Sequence, residues 1–145
     1  MEFVATRPGL ARCRLIDIPR YSDARGTLSV IEGETAIPFR PQRFCYIHDL
    51  VEDALRGCHA HKSEEELVIA IAGRFKVAVS DDIDALEFEL DRPGVGLYIP
   101  PFVWHELYDF APGTICAVLA SRQYDPAEYF RSHDEFCDAL RATVD

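Results

Sequence analysis

Three histidines and a glutamate carry the clearest chemical signal in this 145-residue chain. The stretch Arg56-Gly57-Cys58-His59-Ala60-His61-Lys62 places two imidazoles at i and i+2. In an extended segment these share a face, while the small Ala60 between them points away. Glu66 stands five residues beyond His61, and Gly73 follows after six more intervening residues. Further on, Gly94, five intervening residues, Pro100 and then His105 supply a third imidazole. A lone histidine on a strand is more often a hydrogen-bonded core residue than a functional one. Two on one face, with a carboxylate and a third imidazole at these spacings, point to a site. Imidazole titrates near neutral pH, so the group could move protons. The same four side chains, His59, His61, Glu66 and His105, also form a ligand set for one divalent metal ion.

Positioning such a set takes strands, and the chain reads as strands. Short β-type runs bounded by turn residues recur at 13–18, 27–32, 43–48, 57–61, 66–72, 75–80, 85–90, 96–99, 103–110 and 114–121. Gly73-Arg74 reads as a tight hairpin turn between two apolar strands, and Asp81-Asp82 marks the next turn. Only the end changes character. Asp125-Pro126 has the form of an N-cap followed by proline at the first helical position. Residues 134–144 carry Phe136, Leu140 and Val144 at i, i+4 and i+8, the pattern of an amphipathic helix. There is no repeat, low-complexity segment or linker. The expectation is a single all-β domain over 1–145, a jelly-roll β-barrel with a short C-terminal helical segment.

Lys and Arg number 15 against 25 Asp and Glu, a net charge of −10. Nucleic acid is a poor partner for such a chain, because binding it needs clustered cations. One small anion held by a few arginines remains compatible. No run of about 18 apolar residues occurs, so no membrane span is expected. Met1-Glu2-Phe3-Val4 lacks the basic start and apolar core of a signal peptide. The five cysteines are odd in number and have no C-x-x-C spacing, which fits reduced thiols in the cytoplasm.

With these residues in view, the chain resembles the cupins. The His59–His61–Glu66–Gly73 spacing is similar to their first motif. Gly94, Pro100 and His105 are similar to the second, with Phe102 where that motif carries glycine. More narrowly, five stretches resemble the WxcM-like, sugar 3,4-ketoisomerase branch, which acts on dTDP-4-oxo-6-deoxyglucose. They are DARGTLSVIEG (23–33), IPFRPQRFCYI (37–47), RGCHAHK (56–62), GLYIPPFVWHELYDF (96–110) and VLASRQYDPAEYFRSHDEF (118–136). The resemblance implies an isomerase that moves a sugar carbonyl from C4 to C3 through an enediol, on a route to deoxysugars such as 3-amino sugars. It also implies a homodimer, a dTDP-linked keto-deoxysugar substrate and no cofactor. His59 and His61 then serve as base and acid, or one acts while the other orients it, with Tyr46, Arg56 or a protonated histidine as donor to the enediolate oxygen. Arg56, Arg43 and Lys62 are candidates for the pyrophosphate, and Glu66 and His105 for the substrate pocket. Trp104 and Tyr98 could stack on base or sugar, although large aromatics in a barrel more often fill the core. The family usually has glutamine where this chain has Glu66. It also tends to have two tyrosines in an R-x-YYI stretch, where this chain has Phe44-Cys45-Tyr46.

Other residues read more plainly. Glu64 and Glu65 look like a solvated turn, Arg74 and Lys76 like a charged surface, and His48 and His133 like surface or edge residues. Cys58 is not expected to be a nucleophile. Three other functions stay open: a metal-dependent cupin enzyme using His59, His61, Glu66 and His105, a nucleotide-sugar epimerase or dehydratase, and a non-catalytic sugar-binding cupin.

Overall fold

Phe75, Val77 and Val79 are fully buried, while Lys76, Ala78 and Ser80 between them are only partly so. That period of two is the signature of a strand with one face on a core. The protein is described by a computed structural model over residues 7–142. A short helix α1 (Pro8–Arg12) leads into β1 (Arg14–Asp17), β2 (Arg20–Asp23), β3 (Gly26–Ser29) and β4 (Arg43–Ile47). Next come β5 (Arg56–His61), β6 (Glu66–Ala72), β7 (Phe75–Ser80) and β8 (Ala85–Leu90). The remaining strands are β9 (Val95–Ile99), β10 (Trp104–Tyr108), β11 (Ile115–Ala120) and β12 (Tyr129–Phe130). A 3-10 turn (Pro126–Glu128) precedes β12, and helix α2 (His133–Ala142) follows it.

The strands form two five-stranded antiparallel sheets, ordered β1-β9-β6-β11-β4 and β12-β5-β10-β7-β8. Val68, Leu97, Ile99, Cys116 and Val118 from the first meet Phe75, Val77, Val79, Leu90 and Leu107 from the second. This is the cupin-type jelly roll. The outer face of the first sheet is covered by Ile18, Ile37 and Phe39, packed on Leu67, Ile69 and Tyr98. Helix α2 covers the second sheet through Phe136, Cys137 and Leu140, against Ala60 and Trp104. Val144, the last of the three expected helix anchors, lies outside the described residues. All five cysteines are free, and no helix among the described residues is long and apolar enough to cross a membrane.

One expected turn is different in kind. Gly73-Arg74 does not close a hairpin, because β6 lies in the first sheet and β7 in the second. The turn carries the chain across the barrel. Gly73 has φ +76°, and a Cβ there would clash with Thr114, so only glycine fits. The next turn does close a hairpin, β7–β8, whose loop is tied by Asp81 Oδ1 accepting from the amides of Ile83 and Asp84 at 2.7 and 2.8 Å. Asp125 caps the 3-10 turn as expected, accepting from the Ala127 amide at 3.0 Å.

Candidate active site

The histidines are aimed by an irregularity in β5. Gly57 and Cys58 both have left-handed backbones, with φ near +79° and +60°, and the β10 register shifts opposite them, between His105 and Glu106. This is a β-bulge, a device that turns side chains at the edge of a site. It sets His59 directly across from His105. Their Nε2 atoms lie 3.1 Å apart, and the His59 Nδ1–H donates to the Gly57 carbonyl at 3.0 Å. That bond leaves His59 Nε2 as the ring's lone-pair nitrogen. Phe102, standing at the motif's glycine position, also has a left-handed backbone (φ +59°), and its amide donates to the His61 carbonyl at 2.8 Å.

Glu66 reaches this cluster from the facing sheet. Its Oε1 is 3.3 Å from His105 Nε2 and 3.9 Å from His61 Nδ1. One ligand atom each from His59, His61, Glu66 and His105 can be drawn within 4.8 Å of one another. This donor set fits a single divalent ion.

A second carboxylate is closer to His61. Glu64 is only 1% exposed, and its two oxygens accept from Arg43 Nη1 and Nη2 at 2.9 and 3.0 Å. Its Oε2 also lies 2.9 Å from His61 Nε2. The expectation of a solvated turn therefore fails for Glu64. Glu65 is also tied down, accepting from the Tyr98 hydroxyl at 2.5 Å. Burial works against the charges of Glu64 and Glu66, but close contact with His61 and Arg43, and with His105, holds both below the usual carboxylate range. His59 moves the other way. Burial, followed by the neighbouring His105 and His61, pushes it down to about 3, so it is neutral at physiological pH.

A cavity of about 390 Å³ opens beside these groups. His59, His105, Glu66, Arg43, Arg56 and Cys45 border it, together with Tyr124 and Tyr129. His61 is 2% exposed and sits behind His59, not on the wall. A larger cleft of about 780 Å³, between residues 50–55 and 108–112, contains no histidine.

The structure thus brings together His59, His61, Glu66, His105, Arg43 and Arg56. It does not bring Lys62 or Trp104. Lys62 lies over the Phe130 ring at 5.4 Å, and Trp104 is buried against His133 and Phe136 under α2, its Nε1 donating to Glu106 at 3.0 Å. Tyr98 is core beneath the opposite sheet. Strand parity also turns Tyr46 outward. It is 59% exposed, stacked on His48 at 5.4 Å and beside Phe44, and meets the cavity only at its edge. Position 45 is the one that faces inward, and here it is a cysteine whose pKa burial raises.

The phenol that does meet the histidines is Tyr129, which sequence reasoning missed. Strand β12 pairs Tyr129 with His61, and its ring meets those of His61 and His59 edge to face, with centroids 4.5 and 4.9 Å apart. Buried Glu128 pins this strand, accepting from the Ser63 amide at 3.0 Å and from the Ser63 hydroxyl. Burial pushes the Tyr129 hydroxyl up to about 12, with Glu64 adding to the effect, so it stays a donor.

A cupin barrel with histidines at its mouth and a half-open cavity defines the class. Residues 11–141 match the family FdtA: WxcM-like, C-terminal. The chain is 40% identical over 123 residues to the TDP-4-oxo-6-deoxy-alpha-D-glucose-3,4-oxoisomerase of Aneurinibacillus thermoaerophilus, covering 85% of this chain and 88% of that one. It is 36% identical to QdtA, a sugar 3,4-ketoisomerase from Thermoanaerobacterium thermosaccharolyticum solved in complex with TDP. The TM-score is 0.89, covering 93% of this chain and 98% of that one. A histidine-to-asparagine mutant of QdtA, solved in complex with TDP-4-keto-6-deoxyglucose, is also 36% identical, with a TM-score of 0.87 over 91% of this chain and 96% of that one. The chain belongs to this family, the sugar 3,4-ketoisomerase branch of the cupins.

Proposed function

We propose that this protein is a TDP-4-keto-6-deoxyglucose 3,4-ketoisomerase of deoxysugar biosynthesis. The observation that carries the reading is His59 bordering a sugar-sized cavity, its Nδ1–H spent on the Gly57 carbonyl and its Nε2 left as the basic nitrogen beside His105. His59 takes the proton from C3 of the 4-ketone. Protonation of O4 gives the enediol, protonation of C4 follows, and loss of the O3 proton leaves the 3-ketone. The enediolate oxygen charge needs a donor, and Tyr129 and His105 stand beside His59 to supply it. His61, behind His59 and off the cavity wall, packs its ring edge to face against His59 at 4.8 Å and holds it in place. Arg56, at the cavity mouth, is the best residue for the pyrophosphate, because Arg43 is already held by Glu64.

This path needs no cofactor. One specific observation favours a second reading: the four donors His59, His61, Glu66 and His105 within 4.8 Å. A divalent ion held there would polarise the carbonyl as a Lewis acid. Incubation with TDP-4-keto-6-deoxyglucose in deuterated water, with and without chelator, decides between them. The 3-keto isomer, deuterated at C4 and formed at the same rate with chelator, is expected. Absence of product removes the isomerase reading, and loss of rate with chelator replaces the metal-free one.

A homodimer is part of the proposal. The β2–β3 hairpin pairs with neither sheet among the described residues, and it holds Tyr21 and Leu28 in solvent. Five free thiols and a nucleotide-linked substrate support a cytoplasmic location.

A further inference from the structure

Glu64 is a buried carboxylate that the acid–base path leaves without a role. Arg43 grips both of its oxygens, and Arg43 is itself fixed, its Nη1 donating to the Arg122 carbonyl at 2.9 Å. On its other side Glu64 meets His61. The 2.9 Å approach to His61 Nε2 is a close charge contact and not a formed hydrogen bond, and that buried nitrogen has no hydrogen-bond partner among the described residues, so Glu64 is the acceptor nearest to its proton. The His61 ring is wedged between His59 at 4.8 Å and Tyr129 at 4.5 Å. An apolar side chain would fill this space without the desolvation cost of two buried charges. A role in packing alone therefore does not explain the pair.

We propose that Glu64, clamped by Arg43, is a positioning residue. It keeps the His61 proton on Nε2 and fixes the ring against His59, so that His59 presents its own Nε2 to the substrate. The arrangement follows the logic of a carboxylate that orients a catalytic imidazole by fixing its tautomer. Its activity arm rests on the ketoisomerase reading above.

Two readouts test it. Long-range 1H–15N correlation spectra report which nitrogen of His61 carries the proton, and steady-state kinetics on TDP-4-keto-6-deoxyglucose separate kcat from KM. In Glu64→Leu the Nε2 preference should be lost and kcat should fall about 10²-fold, with KM little changed. Glu64→Gln keeps an oxygen for His61 but drops the charge facing Arg43, and should fall in between. Should the leucine variant fail to fold, the glutamine variant carries the same test. A folded variant with the wild-type His61 proton position and wild-type kcat overturns the proposal. If the wild-type protein does not isomerise the sugar, the functional reading falls, while the spectra of wild type and variants still decide the clamp.

Discussion

At the scale of single residues, the site divides its histidines by exposure. His59 borders the cavity and His61 lies behind it, so their replacement should fail in different ways. His59→Asn should abolish C3 proton exchange while TDP binding persists. His61→Asn should also lose most turnover, through the misplacement of His59; near-normal exchange in both variants would contradict the acid–base assignment. Two tyrosines give a sharper contrast. Tyr129 meets both imidazoles and Tyr46 faces outward, so Tyr129→Phe should reduce kcat by about 10²-fold and Tyr46→Phe far less. The reverse order, measured on TDP-4-keto-6-deoxyglucose, would return the role to Tyr46. Glu66→Gln restores the residue usual in the family. It removes the carboxylate charge 3.3 Å from His105 Nε2, and in the metal-free reading it should keep substantial activity. Loss of a bound metal and of activity together, seen by elemental analysis of the variant, would favour the metal reading.

At the scale of elements, the bulge in β5 holds a strained backbone beside the histidines. Cys58 is a non-glycine residue in the left-handed region, which costs roughly 1–2 kcal/mol. Cys58→Gly relieves that cost but adds a similar unfolded-state entropy, so stability and turnover should change little. Cys58→Val brings a β-branched residue to the same φ. It should lower the melting temperature and reduce kcat by misaiming His59; a valine variant as stable and active as wild type would show that the bulge geometry is not required. The histidine pair on β5 was legible in the sequence because strand parity is a local rule. Glu66 and His105 were legible through their motif spacings, although Glu66 arrives from the facing sheet and only His105 from the strand beside the pair. Glu64 was not, because its burial depends on Arg43, 21 residues away in the chain. Tyr129 was not, because a two-residue strand has no periodicity to read. The Gly73 turn was misread because both strands beside it are apolar, and apolar runs do not reveal which sheet they join.

At the scale of the whole molecule, buried charge couples stability to pH. His59, Glu64 and Glu66 all titrate below their ordinary values in the folded protein. In each case the unfolded chain binds the proton more readily, so stability rises with pH over the affected range. The His59 contribution is present above about pH 6.5 and is lost as pH falls from there toward about 3. The two carboxylates contribute fully above about pH 4.3, and their contribution is lost as pH falls through their lower folded values. Melting temperatures should therefore drop steadily from pH 7 to pH 4, and a flat profile between pH 7 and pH 5 would contradict the buried neutral His59. Assembly is the other whole-molecule question. An isolated two-stranded hairpin is marginally stable in water, yet β2–β3 stands apart with Tyr21 69% and Leu28 63% exposed. Phe44 and Ile71 add apolar surface on the outer face of the neighbouring sheet. A second copy of the chain would cover this surface and give the hairpin edges a partner. Sedimentation should find a dimer at micromolar concentration, and Leu28→Asp should shift it toward monomer while leaving the barrel folded. A wild-type chain that sediments as a monomer at every concentration would rule out the dimer.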